Sequence, residues 1–288
     1  MIATLAVGLA LGAMYALVAT GYTIVYRATG VINFASGTYV VVGGLGSYWL
    51  SEQEHWPYGL AVVGGTVLAG VWSSVLWFVI IVPLWRRRSP GYIVLLSTVM
   101  VAALSAPLIE KLVTPDAQTL PAWVPGWQVR VGQSRISGQY VLIMAVSIAV
   151  VVAVTLLLRY STTGRRLRAC AANRETSRLL GIHPEGVGAV AMAVTGLLGG
   201  LAGAMAIAAQ AIQPDVGLSL SVFAFVAAVF GGLESAAGAF AGGLVLGVAQ
   251  TLVDRYYTAS YDELIVFGLL TAVLLLRPQG LLVRSRPR

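Results

Sequence analysis

Charge is scarce in this sequence. Only 10% of the 288 residues are charged, while 58% are hydrophobic, whereas soluble domains carry about 25% charged residues. The mean hydropathy of +0.85 agrees with this imbalance. A soluble fold of this length needs more charged side chains to cover its surface, so the composition predicts a polytopic membrane protein.

Side chains that commonly do chemistry are scarce too. Cys170 is the single cysteine, which excludes an internal disulfide. His55 and His183 have no cysteine or carboxylate at ligand spacing, so no metal site is expected. The apolar segments hold almost no acids, bases or nucleophiles. We therefore expect a protein that is not an enzyme and has no catalytic residues.

A nucleotide-binding sequence is also missing. No glycine-rich stretch ends in Lys followed by Ser or Thr, and the only lysine is Lys111. The chain is therefore not expected to hold ATP in a P-loop, and no cofactor of its own is expected. The apolar segments contain no chain of buried acids of the kind that would indicate a proton- or sodium-driven carrier. If ATP drives this protein, a separate cytoplasmic subunit must bind it.

Apolar runs, by contrast, are abundant. A membrane-crossing helix needs about 20 mostly apolar residues. Long runs lie at 2–26, 58–84, 92–113, 138–158 and 187–210, and shorter ones at 34–50, 218–232, 238–253 and 258–276. The short runs are typical of half-helices or re-entrant pieces. The sequence predicts an all-α, single transmembrane domain over residues 1–288, with eight or nine membrane segments.

The basic residues predict the orientation. If the spans alternate with Arg86–Arg88 inside, 14 arginines fall on the cytoplasmic side: Arg27, Arg86–Arg88, six within 159–178, and four from Arg277 to the end. Lys111, Arg130, Arg135 and Arg255 fall outside. The positive-inside rule then places the N-terminus outside and the C-terminus inside. Because insertion explains the net charge of +7, no nucleic-acid partner is expected.

Glycines recur at the spacing used for close helix packing. The chain has 33 of them, including the pairs Gly8/Gly12, Gly199/Gly203, Gly238/Gly242 and Gly243/Gly247. Small residues at such positions let helix backbones approach closely within lipid. This pattern favours a compact helical bundle without indicating a particular function.

One uncharged stretch interrupts the apolar pattern. Residues 29–44 read "TGVINFASGTYVVVGG", with Asn33 and Ser36 among glycines. Irregular backbone at membrane depth occurs only beside protein or a water-filled cavity. We predict a broken or re-entrant segment here. A second such stretch at 229–243 suggests a paired break, although the predicted orientation places both near the inner face, whereas an inverted repeat would separate them.

The inner loop 159–186 is the best candidate for a docking site. Residues 164–180 are predicted to form one helix, with Arg166, Cys170, Arg174 and Arg178 along a stripe at i, i+4 spacing. Gly181 is expected to end the helix in a left-handed conformation. Two interpretations stay open: a basic helix lying on anionic lipid, or a coupling helix that inserts into an ATPase.

The outer loop 114–137 likewise has two interpretations. It contains three prolines together with Trp123 and Trp127. Tryptophan prefers the interface between membrane and water, which favours an extended connection with interfacial anchors. Alternatively, the loop is a docking surface for an external partner, for which residues 121–135 are the leading candidate.

Several segments resemble a known family. "ETSRLLG" (175–181) resembles the cytoplasmic signature of ABC importer permeases, with Thr176 and Ser177 in place of the usual alanines and no evident Ile-x-Leu-Pro part. Segments 8–37, 164–182, 229–247 and 275–282 are similar, in order, to the LivH/LivM permeases of branched-chain amino-acid ABC importers. The short N-terminus is closer to the LivH type, while Glu234 departs from the usual small residue.

The resemblance implies a heteromeric importer in a bacterial or archaeal cytoplasmic membrane. Its partners would be a second, LivM-like permease, two cytoplasmic ATPase subunits that bind ATP, and an external substrate-binding protein. The implied cargo is leucine, isoleucine or valine, although related permeases serve urea, short amides or other amino acids. The implied coupling residues are Arg166, Arg174, Glu175, Arg178 and Gly181. Alternating access would move the cargo.

Uncharged polar residues in the spans are the candidates for the substrate pathway. They are Tyr15, Tyr22, Asn33, Ser36, Thr195, Gln210 and Gln250. Each has a structural alternative, because polar groups in membranes also join helices to one another. A channel or ion-coupled carrier acting alone is the second functional hypothesis, and a structural membrane protein is the third.

Overall fold

The computed structural model describes residues 1–124, 126–131, 134–256, 268 and 271. Its helices are α1 (Ile2–Thr29), α2 (Ser36–Tyr48), α3 (Tyr58–Leu76), α4 (Val82–Arg86), α5 (Gly91–Leu112), α6 (Gly138–Tyr160), α7 (Thr162–Ala172), α8 (Arg174–Leu179), α9 (Pro184–Ala206), α10 (Gly217–Gly231) and α11 (Ala236–Tyr256). Within these residues the only sheet is the antiparallel hairpin of β1 (Gln128–Val131) and β2 (Ser134–Ser137). The all-α prediction is confirmed.

Two helices continue through π-helical turns, and one short 3-10 helix is present. α2 extends through Trp49–Gln53, α3 joins α4 through Trp77–Ile81, and Pro214–Val216 precedes α10. The α3–α4 unit therefore runs from Tyr58 to Arg86 without a break. Among the described residues, seven helices are long and apolar enough to cross a membrane.

These seven match most of the predicted spans. They are Ile2–Thr29, Tyr58–Arg86, Gly91–Leu112, Gly138–Tyr160, Pro184–Ala206, Pro214–Gly231 and Ala236–Tyr256. The predicted run 34–50 becomes α2, which with 13 residues is too short to span alone. The predicted run 258–276 lies outside the described residues, apart from the helical Gly268 and Thr271. The total of eight or nine segments stays a prediction.

Glycine contacts set the centre of the bundle. α1 and α11 run antiparallel, because Gly8 lies against Val248 and Gly12 against Gly243. A Cβ atom on Gly12 would lie 2.8 Å from the carbonyl oxygen of Gly243, closer than real side chains approach. The predicted close-packing pairs Gly8/Gly12 and Gly243/Gly247 are therefore used here, in one helix–helix contact, whereas Gly238/Gly242 packs against α10.

The bundle contains two inverted halves, α1–α3 and α9–α11. α1 packs on α11, and α9 packs on α3 in the corresponding manner. The start of α2 crosses the start of α10, where the Gly37 N–H donates to the Ser221 hydroxyl oxygen at 2.7 Å. In each half, a long helix is followed by a break and a short helix. The two halves run in opposite directions through the bundle. This arrangement is typical of transporters built from inverted repeats.

The first break, between α1 and α2, covers residues 30–35. The prediction that residues 229–243 form the corresponding break in the second half was wrong. Residues 229–243 comprise the end of α10, a tight turn at 232–235 and the start of α11, and Gly232 in the turn has a φ of 98°. The break that corresponds to residues 30–35 is the linker 207–216 between α9 and α10. It falls between the predicted runs 187–210 and 218–232, but sequence reasoning did not pair it with the first break. The two breaks lie at opposite ends of the bundle, as an inverted repeat requires.

Candidate functional site

The predicted single helix 164–180 is wrong, because it is interrupted at Asn173. α7 ends at Ala172 and α8 begins at Arg174. The Asn173 side chain accepts hydrogen bonds from the N–H groups of Glu175 and Thr176, at 2.9 and 3.0 Å. Asparagine is a preferred N-cap because it satisfies such free donors. It starts a new helix and removes the continuous stripe of i, i+4 residues.

α7 is docked on the bundle. Leu167 and Cys170 are buried, whereas Arg166 is exposed. The Arg168 guanidinium donates to the carbonyl oxygens of Leu158 and Arg159, at 2.7 and 3.2 Å. α7 therefore holds the position of α8 relative to the membrane-crossing helices.

α8 presents both a charged and an apolar surface. Arg178 is exposed, and Leu179 and Leu180 are 88% and 73% exposed. Gly181 has a φ of 75°, which confirms the predicted left-handed end. The helix that follows begins at Pro184. These leucines are the most exposed large apolar residues of this loop and can be covered by a partner.

Arg174 connects α8 to the bundle. Its guanidinium carbon lies 4.3 Å from the centre of the Trp85 ring, a cation–π contact. Partial burial lowers the pKa of Arg174, but an arginine remains charged at neutral pH. The same side chain approaches Gly30 at the end of α1, where φ is 67°. One residue therefore touches α4 and the first break.

A salt bridge that sequence reasoning missed lies beside this contact. Arg86 donates to both carboxylate oxygens of Glu185, at 3.1 and 2.8 Å. The Trp77 indole N–H also donates to the Glu185 carbonyl oxygen at 3.0 Å. These bonds tie α4 to the start of α9. Nothing in the sequence pairs these residues, which are 99 positions apart.

A polar groove of about 700 Å³ is lined by residues that include Trp85, Arg86, Arg174 and Glu185. One wall is the end of α1 from Thr29 to Val31, and another is the α4–α5 turn. Arg174, Glu175 and Arg178 of α8 form the third wall. Four of the five predicted coupling residues, Arg174 to Gly181, thus lie in or next to this groove, whereas Arg166 lies on α7. The end of the bundle that carries the groove is called the basic end below.

Both polar atoms of the Asn33 side chain form hydrogen bonds within the bundle. The side chain is 1% exposed, donates to the Tyr39 hydroxyl at 2.8 Å, and accepts from the Ala35 N–H at 3.0 Å. The Ser36 hydroxyl donates to the Asn33 carbonyl oxygen at 2.8 Å. Both side chains therefore satisfy irregular backbone, as buried polar groups must. Their role in the pathway stays a prediction.

Tyr22 and Thr195 join helices at the centre of the bundle. The Tyr22 hydroxyl donates to the Ser221 carbonyl oxygen at 3.1 Å. The Thr195 hydroxyl lies 3.0 Å from the Gly21 carbonyl oxygen and 2.9 Å from that of Ala191, in its own helix. Sequence reasoning missed Ser221, which contacts both α1 and α2 although serine in an apolar run carries no distinctive signal.

Tyr15 and Gln210 line a cavity of about 170 Å³ between α1, α9 and α10. Gln250 of α11 does not line it, but its side-chain oxygen accepts a hydrogen bond of 2.9 Å from the Tyr15 hydroxyl. The structure thus brings these three predicted pathway residues together, whereas Tyr22, Asn33, Ser36 and Thr195 lie elsewhere in the bundle core. A pathway role for any of the seven stays a prediction.

A strap, residues 118–121, runs along the second break beside this cavity. Gln118 and Ile212 exchange two backbone hydrogen bonds, at 3.1 and 3.0 Å, and the Leu120 N–H donates to the Ile207 carbonyl oxygen at 3.0 Å. The Tyr58 hydroxyl donates to the Pro121 carbonyl oxygen at 2.8 Å. The outer loop is therefore bonded directly to the second break, and its backbone is not a free extended connection.

No metal cluster is evident in the part of the chain that the structure describes, since no three His, Cys, Asp or Glu side chains there are grouped suitably. The sites found are instead an uncharged cavity at one end of the bundle and a charged groove at the other. The first can hold a small apolar group, and the second can bind a charged or polar partner surface.

Comparisons with known proteins agree with this geometry. The family described as "Branched-chain amino acid transport system / permease component" matches residues 4–274. The chain is 32% identical to the high-affinity branched-chain amino acid transport system permease protein LivH of Escherichia coli K12 and to BraD of Pseudomonas aeruginosa, over 96% of this chain and 94% of each relative. It is 27% identical to a probable LivH of Methanocaldococcus jannaschii, over 92% and 87%.

No solved structure matches the chain. The family match spans nearly the whole sequence, and the LivH-like character predicted from four short segments is confirmed. The chain therefore belongs to the family of permease components of branched-chain amino acid transport systems.

Proposed function

We propose that this chain is a permease subunit of an ABC importer that carries leucine, isoleucine or valine into the cell. The observation that carries the proposal is the similarity to LivH and BraD, which covers 96% of this chain and 94% of each relative. The names of these relatives describe high-affinity branched-chain amino acid transport. The uncharged cavity beside Tyr15 supports an uncharged apolar cargo side chain.

The importer needs further subunits. A second, LivM-like permease would pair with this chain, two cytoplasmic ATPases would bind the ATP, and an external binding protein would deliver the amino acid. The absence of a P-loop sequence supports separate ATPases. This chain itself would hold no cofactor and catalyse no reaction.

The basic end of the bundle is proposed to face the cytoplasm of a bacterial or archaeal cell. Arg27, Arg86–Arg88 and the arginines of α7 and α8 gather there, and this clustering supports an outer N-terminus and an inner C-terminus. The strap and the β1–β2 hairpin would then lie outside, where a binding protein can dock on residues 121–135.

ATP binding by the partner subunits is proposed to act through α8. A subunit that covers Leu179 and Leu180 would push on a helix whose first residue, Arg174, contacts Trp85 and approaches Gly30. Movement of α8 would thus reach α4 and the first break without passing through lipid-exposed side chains. Rocking of the two halves would open the bundle alternately to each side.

Reconstitution tests this function. The chain is co-expressed with a LivM-like permease, two ATPases and a substrate-binding protein from the same organism, and the purified complex is placed in proteoliposomes. We expect ATP-dependent uptake of leucine, isoleucine or valine that requires the binding protein. Uptake by this chain alone, driven by an ion gradient, would instead support the second hypothesis of an independent carrier.

A further inference from the structure

We propose that the cavity between α1, α9 and α10 is the subsite that receives the aliphatic side chain of the transported amino acid. This inference rests on the proposed function and specifies which part of the bundle contacts the cargo. It adds a role for residues that no motif indicated, chiefly Val40, Ala206 and Phe223.

The lining of the cavity suits a hydrocarbon group. Its deep part is formed by Val18, Val40, Ala202 and Phe223, each at most 9% exposed. The Tyr15 hydroxyl, which lies on the wall, is hydrogen-bonded to Gln250. An aliphatic side chain placed there loses contact with water without leaving a buried polar group unsatisfied.

The mouth of the cavity is more polar than its floor. Gln210 and Ala211 of the second break are exposed, and Ser219 in the first turns of α10 is partly exposed. The amino and carboxylate groups of an amino acid would remain at this wet end while the side chain enters. The cavity thus has an apolar floor for the aliphatic side chain and a polar mouth for the amino and carboxylate groups.

The size is also appropriate. A volume of about 170 Å³ is several times that of one water molecule in the liquid. It is smaller than the roughly 300–1,000 Å³ of pockets that enclose drug-sized ligands. A cavity of this size accommodates a branched four-carbon group and not an extended molecule.

Other cavities of the described residues are less suitable. The space between α1, α6 and α7 is lined by Arg27, Arg159 and Arg168, which disfavour an apolar group. The apolar groove beside Val71 and Leu108 opens between the exposed rows of α3 and α5, where a membrane supplies hydrocarbon. Of these three spaces, only the cavity at Tyr15 borders a break, since Gln210 and Ile212 belong to the linker 207–216.

The test changes the cavity volume in both directions. Ala206→Leu adds carbon atoms to the cavity, Val40→Ala removes them, and Ala208→Leu makes the same addition on a residue that does not line it. Uptake of leucine and of valine is measured with the whole complex in proteoliposomes, each delivered by the saturated binding protein, together with ATP hydrolysis.

We expect Ala206→Leu to lower the leucine-to-valine uptake ratio by about tenfold, which is the lower end of the discrimination that one methylene gives in an apolar pocket. Val40→Ala should raise the same ratio, and Ala208→Leu should leave it unchanged. Binding-protein-stimulated ATP hydrolysis should persist in all three variants.

Unchanged ratios in both cavity variants would overturn the subsite, even if total uptake fell. Uptake ratios that shift equally with Ala208→Leu would also overturn it, since the effect would not belong to the cavity. If the unaltered complex moved neither amino acid, the proposed function would fail and the subsite with it. Normal uptake with unchanged ratios would remove the subsite alone.

Discussion

The guanidinium carbon of Arg174 lies 4.3 Å from the centre of the Trp85 ring, which joins the first residue of α8 to α4. Stacking of this kind stabilises by about 0.5–2 kcal/mol, depending on exposure. The contact connects the helix that carries the exposed leucines directly to the membrane-crossing α3–α4 unit.

Arg174→Ala should therefore reduce the amount of cargo moved per ATP hydrolysed, while the complex still assembles. Uptake and ATP hydrolysis are measured in the same proteoliposomes. Arg165→Ala is the matched control, because Arg165 lies on α7 with an exposed side chain and is not among the predicted coupling residues. Equal effects of the two substitutions would indicate a general loss of positive charge and contradict a specific role for Arg174.

Asn33→Leu should impair uptake and leave the subunits associated. Leucine cannot replace the hydrogen bonds to Tyr39 and to the Ala35 N–H, so buried groups of the first break lose their partners. Each such loss costs about 1–3 kcal/mol. Co-purification of the ATPases reports assembly. Normal uptake by an assembled variant would mean that Asn33 is dispensable for transport.

Gly43→Ala should lower the stability of the bundle. A Cβ atom on Gly43 would overlap the backbone of Gly200 in α9, which cannot move aside as a side chain can. Overpacking of this kind typically costs about 1–3 kcal/mol. Thermal unfolding in detergent measures the change, and Gly59→Ala serves as control because nothing lies within 4 Å of its new methyl group. Equal midpoints for the two variants would show that α2 can shift away from α9.

A disulfide between positions 118 and 212 should arrest transport reversibly. These residues exchange both backbone hydrogen bonds, and such antiparallel pairs have Cα atoms about 5.5 Å apart, within the range that a disulfide spans. Gln118→Cys and Ile212→Cys are combined with Cys170→Ser, which removes the only native thiol. Uptake should stop on oxidation and return with a reducing agent. Undiminished uptake by the oxidised form would show that the strap need not separate from the second break.

The long helices were predictable because apolar runs of spanning length dominate the sequence. α1, α5 and α6 begin and end within a few residues of the predicted limits. The helix end at Gly181 was predictable as well, since glycine readily adopts the left-handed conformation found there. Local chemistry alone determines these features.

Features that depend on tertiary contacts were not predictable. The gap between the predicted runs 187–210 and 218–232 indicated an interruption near the linker 207–216, but its correspondence to residues 30–35 depends on the packing of the two halves. The i, i+4 arginines suggested one continuous helix, although the cap at Asn173 divides it. The Arg86–Glu185 salt bridge and the cavity at Tyr15 bring together residues from distant elements, which spacing along the chain does not reveal.

The hydrogen bond between Gly37 and Ser221 has a mechanical consequence. It fastens two short antiparallel helices near their starting points, while their far ends extend toward opposite surfaces of the bundle. Around such a pivot, a tilt that widens the space at one surface narrows it at the other. The geometry of this helix pair therefore favours opening to one surface at a time, and the energy source only has to select the surface.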